Sequence, residues 1–378
     1  MPQINTIKNR IDWFLLFLIL PIMLAGLFTM KSFTQIDGAN VFFDKQIIWI
    51  TISLTIFFIF SFIDFSFLKD TKVLMFLFIS SCGILVILLF LGNTVFGSKS
   101  WFNFGFFSFQ PVDFTKLILI LLLAKYFSRR HVEIYNIKHI FISGFYAFIP
   151  FILILLQPDF GSAMIIFFIW LGMVLVSGIS KKHLLFVFLS SVIIFIYAWF
   201  FIFSTYQKNR INNFIHPMTN IRTSGYNAFQ STIAVGSGQI FGKGLGFGTQ
   251  SRLKFLPQPQ ADFIFASYAE EWGFIGSIFI LFLYLLIILR ILYLASLGFS
   301  NFEVLFGLGV AIFFMSHIFV NIGMNLAILP VTGIPLTFMS YGGSHLVVEF
   351  MALGILMSMR KYSRSAHRDD IKNEFLGI

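Results

Sequence analysis

Long apolar runs alternate with short polar segments along the whole chain. A helix that crosses a bilayer needs roughly 20 predominantly apolar residues. Such stretches fall at 13–30, 47–67, 73–92, 111–127, 139–156, 160–178, 184–203, 263–289, 303–322 and 345–359. The pattern predicts an all-α polytopic membrane protein with about ten transmembrane helices, forming one domain over residues 1–378. The first run is followed by KSFTQIDGAN, which offers no small-residue cleavage site, so it is read as a retained helix.

The loops orient these spans. Lys8, Arg10, Lys69, Lys72, Lys125, Arg129, Arg130, Lys138, Lys181, Lys182, Arg290 and the basic tail after Arg360 all fall on one side. The positive-inside rule makes that side cytoplasmic, with both termini there. Lys31, Lys45 and Lys99 fall opposite as isolated charges. Residues 204–262 then form one long external loop between helices 7 and 8, and 361–378 a cytoplasmic tail that is frayed or short-helical. Only 11% of residues are charged, against about 25% in soluble domains, which excludes a soluble globule. The 55 phenylalanines read as packing and lipid-facing bulk. Cys82 is the only cysteine, so no intramolecular disulfide can form.

Four polar constellations fall at the external face of this topology. The longest is GSGQIFGKGLGFGTQSRLKFLPQPQADFIFASYAEEWG, Gly236 to Gly273. Its glycines allow close approach to the main chain, but Lys243 precedes Gly244 rather than Ser or Thr, so it is no P-loop. The plainer reading is a solvated loop with Asp262 capping the next helix. The sharper one is an anionic-substrate site in which cations and backbone N–H groups hold phosphates and Asp262 acts on a hydroxyl. Glu270 and Glu271 are consecutive and cannot face the same way; one is expected to pair with a basic group.

In the second, GSKSWFNFGFFSFQPVDFTK, Pro111 suits a helix first turn, and Asp113 and Lys116 share a face and can pair. They are a helix-start carboxylate with its partner, or groups facing a cavity. The third, Gln157-Pro158-Asp159-Phe160-Gly161-Ser162, reads first as a tight turn with Asp159 as a cap. The fourth, NIGMNLAILPVTGIPLTFMSYGGS from Asn321, breaks helix repeatedly. Such backbone is tolerated at membrane depth only where it is protein-buried or lines a polar cavity. Glu349 is a lone acid in the last span and so a functional candidate. His216 reads as a loop residue. His131, His139, His183, His317 and His345 show no ligand spacing, so no metal site is predicted.

These segments resemble the SEDS family (shape, elongation, division and sporulation proteins), polytopic membrane glycosyltransferases that polymerise lipid II into peptidoglycan. GKGLGFGTQSRLKFLPQPQADFIFASYAEEWGFIG is similar to the family signature. The second constellation resembles GxxxWxxxGxxxxQPSEFxKL with Val-Asp for Ser-Glu. The third resembles QPDxGS, and the fourth NxGxxxxLLPVTGIPLPFxSYGGS with Thr337 for Pro and Ile328 for Leu. In the loop, Gln207, Arg210, Ile211, Phe214 and Pro217 resemble QxxRIxxFxxP, and Asn227 replaces the more common Gln of GYQxxQS. VTGIPL and AEE look more like elongation members than division members, which usually have TKGLTL.

The resemblance implies a bacterial cytoplasmic-membrane enzyme with lipid II as substrate and a class B penicillin-binding protein as partner, and no nucleic acid. The catalytic aspartate of DFIFA maps onto Asp262. Lys243, Arg252, Lys254 and Arg210 are candidates for holding diphosphate, with Asp113 and Lys116 as a second anchor. Gln157, Asp159, Ser340, Tyr341, Gly342 and Gly343 are implied site-wall positions. The family's ExHTDF is Gln258-Pro259-Gln260-Ala261-Asp262-Phe263 here, so the Thr and His before the aspartate are missing.

The chemistry fits one acid beside a basic loop. A diphosphate leaves without a general acid, unlike the leaving group in glycoside hydrolysis. What remains is a base for the acceptor 4-hydroxyl and cations for the developing charge. A divalent cation (Mg or Mn) bridging the diphosphate is the one cofactor this chemistry could take. A precursor flippase would place polar groups at the bilayer midplane, and a non-catalytic scaffold for a transpeptidase would leave the clustered charges without a task.

Overall fold

The computed structural model describes residues 11–33, 41–95, 98–103, 105, 108–129, 137–178, 180–201, 205–215 and 225–376. His131, His216 and Arg222 lie outside these, as does the side chain of Arg210. The helices are α1 (Trp13–Ser32), α2 (Val41–Phe62), α3 (Thr71–Leu91), α4 (Pro111–Ser128), α5 (Ile137–Leu156), α6 (Phe160–Val176), α7 (Lys181–Phe201), α8 (Thr205–Ile215), α9 (Tyr226–Ser237), α10 (Thr249–Arg252), α11 (Ile264–Ser296), α12 (Asn301–Asn325) and α13 (Gly343–Leu376). Each of the ten apolar stretches carries a helix. Six of them, α1, α2, α3, α5, α11 and α12, are long and apolar enough to cross a membrane.

Aspartates start several helices where the chain leaves a polar turn. Asp12 Oδ1 accepts from Leu15 N at 3.0 Å, and Asp70 Oδ1 from Lys72 N at 3.0 Å. Pro111 opens α4 at its first turn, where no backbone N–H is needed. Helix α12 is the central element, packed against α4, α6, α11 and α13. The peripheral helices turn large apolar side chains outward, among them Phe17, Phe76, Phe90, Phe145 and Phe200. At the opposite end of the bundle from Asp262, Arg290 forks onto Asp12 (3.2 and 2.7 Å) and Lys69 meets Glu303 at 2.8 Å.

Three features depart from the expectation. A small antiparallel sheet, β1 (Asn93–Val95), β2 (Ser98–Asn103) and β3 (Ser108–Phe109), precedes α4. Its strands are too short to stand out beside a long apolar run. The predicted loop 204–262 contains α8, α9 and α10, whose polar surfaces hide them from a search for apolar runs. Helix α13 runs on to Leu376, so the segment expected to be frayed or short-helical continues the helix of the last span.

Helix α11 is two helices joined at Gly273, whose φ of 68° and ψ of −164° are not helical. The glycine-rich segment docks at this break. Lys243 N and Gly244 N donate to the carbonyls of Glu270 and Glu271 (both 3.0 Å), and Phe274 N donates back to Gln239 O at 2.8 Å. The break frees these backbone groups and the loop satisfies them. A Cβ on Gly242 (φ 81°) would lie 2.1 Å from Glu271 O, and one on Gly273 2.2 Å from Gly242 N. The close approach that glycine permits is therefore to the protein's own broken helix.

This contact predicts a graded series. Gly242→Ala combines a steric overlap with a left-handed φ and should lower the thermal midpoint in detergent most. Gly246→Ala has φ 79° and nothing within 4 Å, so it should cost about 1 kcal/mol of backbone strain. Gly236→Ala, with open space and a helical backbone, should be neutral or slightly stabilising.

Candidate active site

Asp262 lies half-buried in the turn that enters α11. It does not cap that helix: the cap position is Phe263, and no side-chain cap bond forms. Its backbone is clamped instead. The carbonyl of Asp262 accepts from both Asn321 Nδ2 and Asn325 Nδ2, each at 3.0 Å. Asn325 Oδ1 takes the N–H of Ala266 at 3.0 Å, satisfying one of the free donors of the first helical turn. Asn325 Nδ2 also reaches the Asn321 carbonyl at 2.8 Å, which locks the two asparagines together. Asn321 and Asn325 stand one turn apart on the face of α12 that also carries His317. That i, i+4 pair was visible in the sequence but unremarked.

The second support is the non-helical segment between α12 and α13. Ser340 Oγ donates to Ala261 O at 2.7 Å, and Tyr341 N donates to Gln260 O at 2.9 Å. Gly333, at φ 76°, sits against the carboxylate, where a Cβ would lie 3.4 Å from Asp262 Oδ2. The Tyr341 ring packs edge-on against Phe42, 5.2 Å between centroids. Gly343 backs onto Trp49 so closely that a Cβ would overlap the indole, and a Cβ on Gly342 would lie 3.9 Å from His345. Of the predicted wall positions, Ser340 and Tyr341 thus meet the Asp262 turn directly.

Asp113 and Lys116 form the predicted pair, Nζ to Oδ1 at 2.9 Å, and both are buried. Three residues set aside or left unexplained in the sequence join them. Lys116 Nζ is 3.4 Å from His317 Nε2, the His317 and His345 rings stack at 6.0 Å, and His345 Nδ1 is 3.4 Å from Glu349 Oε1. A row of titratable groups thus runs through α4, α12 and α13. No sequence spacing could have signalled it, because the partners lie on three separate helices. At about 1.5 Å per residue, Lys116, His317 and Glu349 are no more than about 12 Å inside the helix ends nearest Asp262. Among the described residues, no three His, Cys, Asp or Glu side chains converge to hold a metal ion.

The remaining predicted residues divide. Lys243 pairs with fully buried Glu270 at 2.8 Å, which is the pairing expected of one glutamate. Thr249 Oγ1, Gln250 N and Ser251 N also donate to Glu270. Glu271 turns the other way and accepts from Gly246 N at 3.0 Å. These two acids staple the glycine loop to α11. Arg252 reaches Gly246 O at 3.5 Å, and Lys254 is exposed at φ 60°. Asp159 caps α6 through Ser162 N at 3.0 Å, as the turn composition indicated. Gln157 is buried and donates to Leu85 O of α3 at 3.0 Å, pointing into the bundle wall.

A family model described as "Cell cycle protein", covering FtsW, RodA and SpoVE, matches residues 9–365. Peptidoglycan glycosyltransferase MrdB of Escherichia coli is 38% identical over 269 residues, 71% of this chain and 72% of that protein. Stage V sporulation protein E of Bacillus subtilis is 33% identical over 95% of this chain and all of its own length. Among solved structures, one from a study titled "Structural coordination of polymerization and crosslinking by a peptidoglycan synthase complex" aligns over 93% of this chain and 98% of its own. Its TM-score is 0.78 at 26% identity. The rod shape determining protein RodA of Thermus thermophilus aligns over 93% and 96%, with TM-score 0.68 at 26% identity. A match over almost the full length, in both sequence and fold, makes this chain a member of the FtsW/RodA/SpoVE family, the SEDS proteins its motifs resemble.

Proposed function

We propose that this protein is a peptidoglycan glycosyltransferase that polymerises lipid II at the external face of the bacterial cytoplasmic membrane. Asp262 takes the proton from the acceptor 4-hydroxyl. The acceptor oxygen then attacks the anomeric carbon of the donor sugar from the face opposite the lipid diphosphate. Inversion gives a β-linkage, and the diphosphate leaves as an anion that needs no proton. The observation that carries this reading is the clamp on Asp262. Two asparagines, Ser340 and the main chain at Tyr341 hold its turn from two elements, while its carboxylate borders a glycine that has no side chain to cover it. A base held in place before the substrate arrives need not be ordered during the reaction.

The same reading gives the chain ten spans, cytoplasmic termini and an external segment 204–262. The names of its relatives support the polymerase activity, and VTGIPL favours a role in elongation. A class B penicillin-binding protein is the expected partner. Diphosphate binding falls to Arg252, Lys254 and Arg210. Lys243 holds the loop through Glu270, and Lys116 anchors from within. A Mg or Mn ion, where one takes part, would arrive on the diphosphate.

Two tests follow from these assignments. Asp262→Asn keeps the shape of the side chain and removes the base. With labelled lipid II and the partner co-expressed, polymer formation should fall about 10²–10⁴-fold in a protein of unchanged thermal stability. Equal polymer from both proteins would remove Asp262 as the base, and precursor crossing vesicles without polymer would favour a flippase. The cations should separate by readout. Lys243→Gln leaves buried Glu270 without its counter-charge and should destabilise the fold by about 3 kcal/mol, the low end for a broken buried pair, since the Lys243 side chain is 28% exposed. Arg252→Gln and Lys254→Gln should raise KM for lipid II about tenfold, the low end for a charge-assisted bond, at unchanged stability.

A further inference from the structure

The segment from Leu329 to Gly342 threads between α12 and α13 without helical hydrogen bonds of its own along most of its length. Its backbone groups are met by side chains from the surrounding helices. Asn321 Nδ2 donates to Ile334 O (2.7 Å), Tyr284 OH to Thr337 O (2.6 Å) and Gln46 Nε2 to Ser340 O (3.1 Å). Lysine has only donors, so His317 Nε2 accepts from Lys116. The ring proton is then on Nδ1, which faces Pro335 O at 3.4 Å.

One carboxylate takes part. Glu349 Oε2 accepts from Phe338 N at 3.0 Å. Phe338 is the strained point of the segment: its φ is 59°, which costs a non-glycine residue about 1–3 kcal/mol. Its ring is wedged between Phe314 and Phe350, at 5.2 and 5.4 Å. A carboxylate buried in a span is itself expensive. A hydrogen-bonding group that served only to fill space would be replaced by an apolar one at no loss. Its neighbour His345 is also buried, with Nδ1 3.4 Å from Glu349 Oε1, and neither that oxygen nor His345 Nε2 has a hydrogen-bond partner. On one side of Phe338 the same segment carries Ser340 and Tyr341, which hold the Asp262 turn, and on the other Gly333, against the carboxylate.

We propose that Glu349 is a positioning residue for Asp262: it holds Phe338 in its left-handed conformation and so fixes the segment that sets the place of the aspartate. This rests on Asp262 acting as the base. Glu349 and Phe338 are fully buried, so Glu349 acts on the reaction without touching substrate.

The test is a series at one position in the full chain with its partner, measuring kcat and KM for lipid II together with thermal stability. Glu349→Gln keeps an acceptor at the same reach and should stay within about threefold of wild type. Glu349→Asp keeps the carboxyl group but is one methylene too short for Phe338 N, and Glu349→Leu has no acceptor. Both should lose at least tenfold in kcat with KM unchanged. Should the leucine variant fail to fold, the aspartate variant still decides. Wild-type kcat in the Asp variant, a Gln variant as slow as the Asp variant, or losses that only follow the folded fraction would overturn the assignment. Asp262→Asn is run alongside. If it polymerises normally, the base assignment fails on its own account; if it is inert while Glu349→Asp is fully active, only the positioning role fails.

Discussion

The constraint on which this structure turns is the demand of buried backbone for hydrogen-bond partners. In hydrocarbon an unpaired N–H or C=O costs several kcal/mol, so a membrane chain abandons helix only where protein replaces water. This chain does so between α12 and α13, and Gln46, Tyr284, His317, Asn321, Ser340 and Glu349 answer the demand. They come from α2, α11, α12, α13 and the segment itself. Four helices therefore have a polar side chain committed to one stretch of irregular backbone. That stretch is what Asp262 leans on.

A second break follows the same logic with a different solution. Helix α11 is interrupted at Gly273, and the freed carbonyls of Glu270 and Glu271 are taken by backbone N–H groups of the glycine-rich loop. The two glutamates then secure that loop with their side chains, Glu270 through Lys243 and Glu271 through Gly246 N. The first part of α11 carries Asp262 at its entrance and is held on one side by this loop and on the other by the asparagine pair of α12. Rigidity at the aspartate thus comes from two irregular segments meeting across one short stretch of helix.

These features were unequally legible in the sequence. The apolar runs located the helices because membrane solvation imposes a length, and Asp113 with Lys116 was readable because three residues span one helical turn. Asp262 stood out by its place between a basic segment and an apolar run. Glycine signals close approach but not what approaches; at Gly242 it is α11. His317, His345 and Glu349 were legible only as scattered residues. Their meaning depends on α4, α12 and α13 converging, and on the chain between two of those helices bending to Phe338. The strands before α4 and the helices α8 and α9 were hidden for a simpler reason: neither is apolar enough to register against its neighbours.

The division of charge across the site carries the last step. Buried acids here are met from within the protein: Asp113 by Lys116, Glu270 by Lys243, Glu271 by the backbone N–H of Gly246 and Glu349 by that of Phe338. Desolvated singly, each would be costly; paired, they hold backbone. Asp262 is half-buried, and Arg252 and Lys254 lie nearer the surface. Charges that hold the fold are thus kept inside, and the residues proposed to meet substrate lie nearer the rim. Such a layout suits a reaction whose substrate brings its own two negative groups and asks the protein for little more than one fixed base and a basic surface.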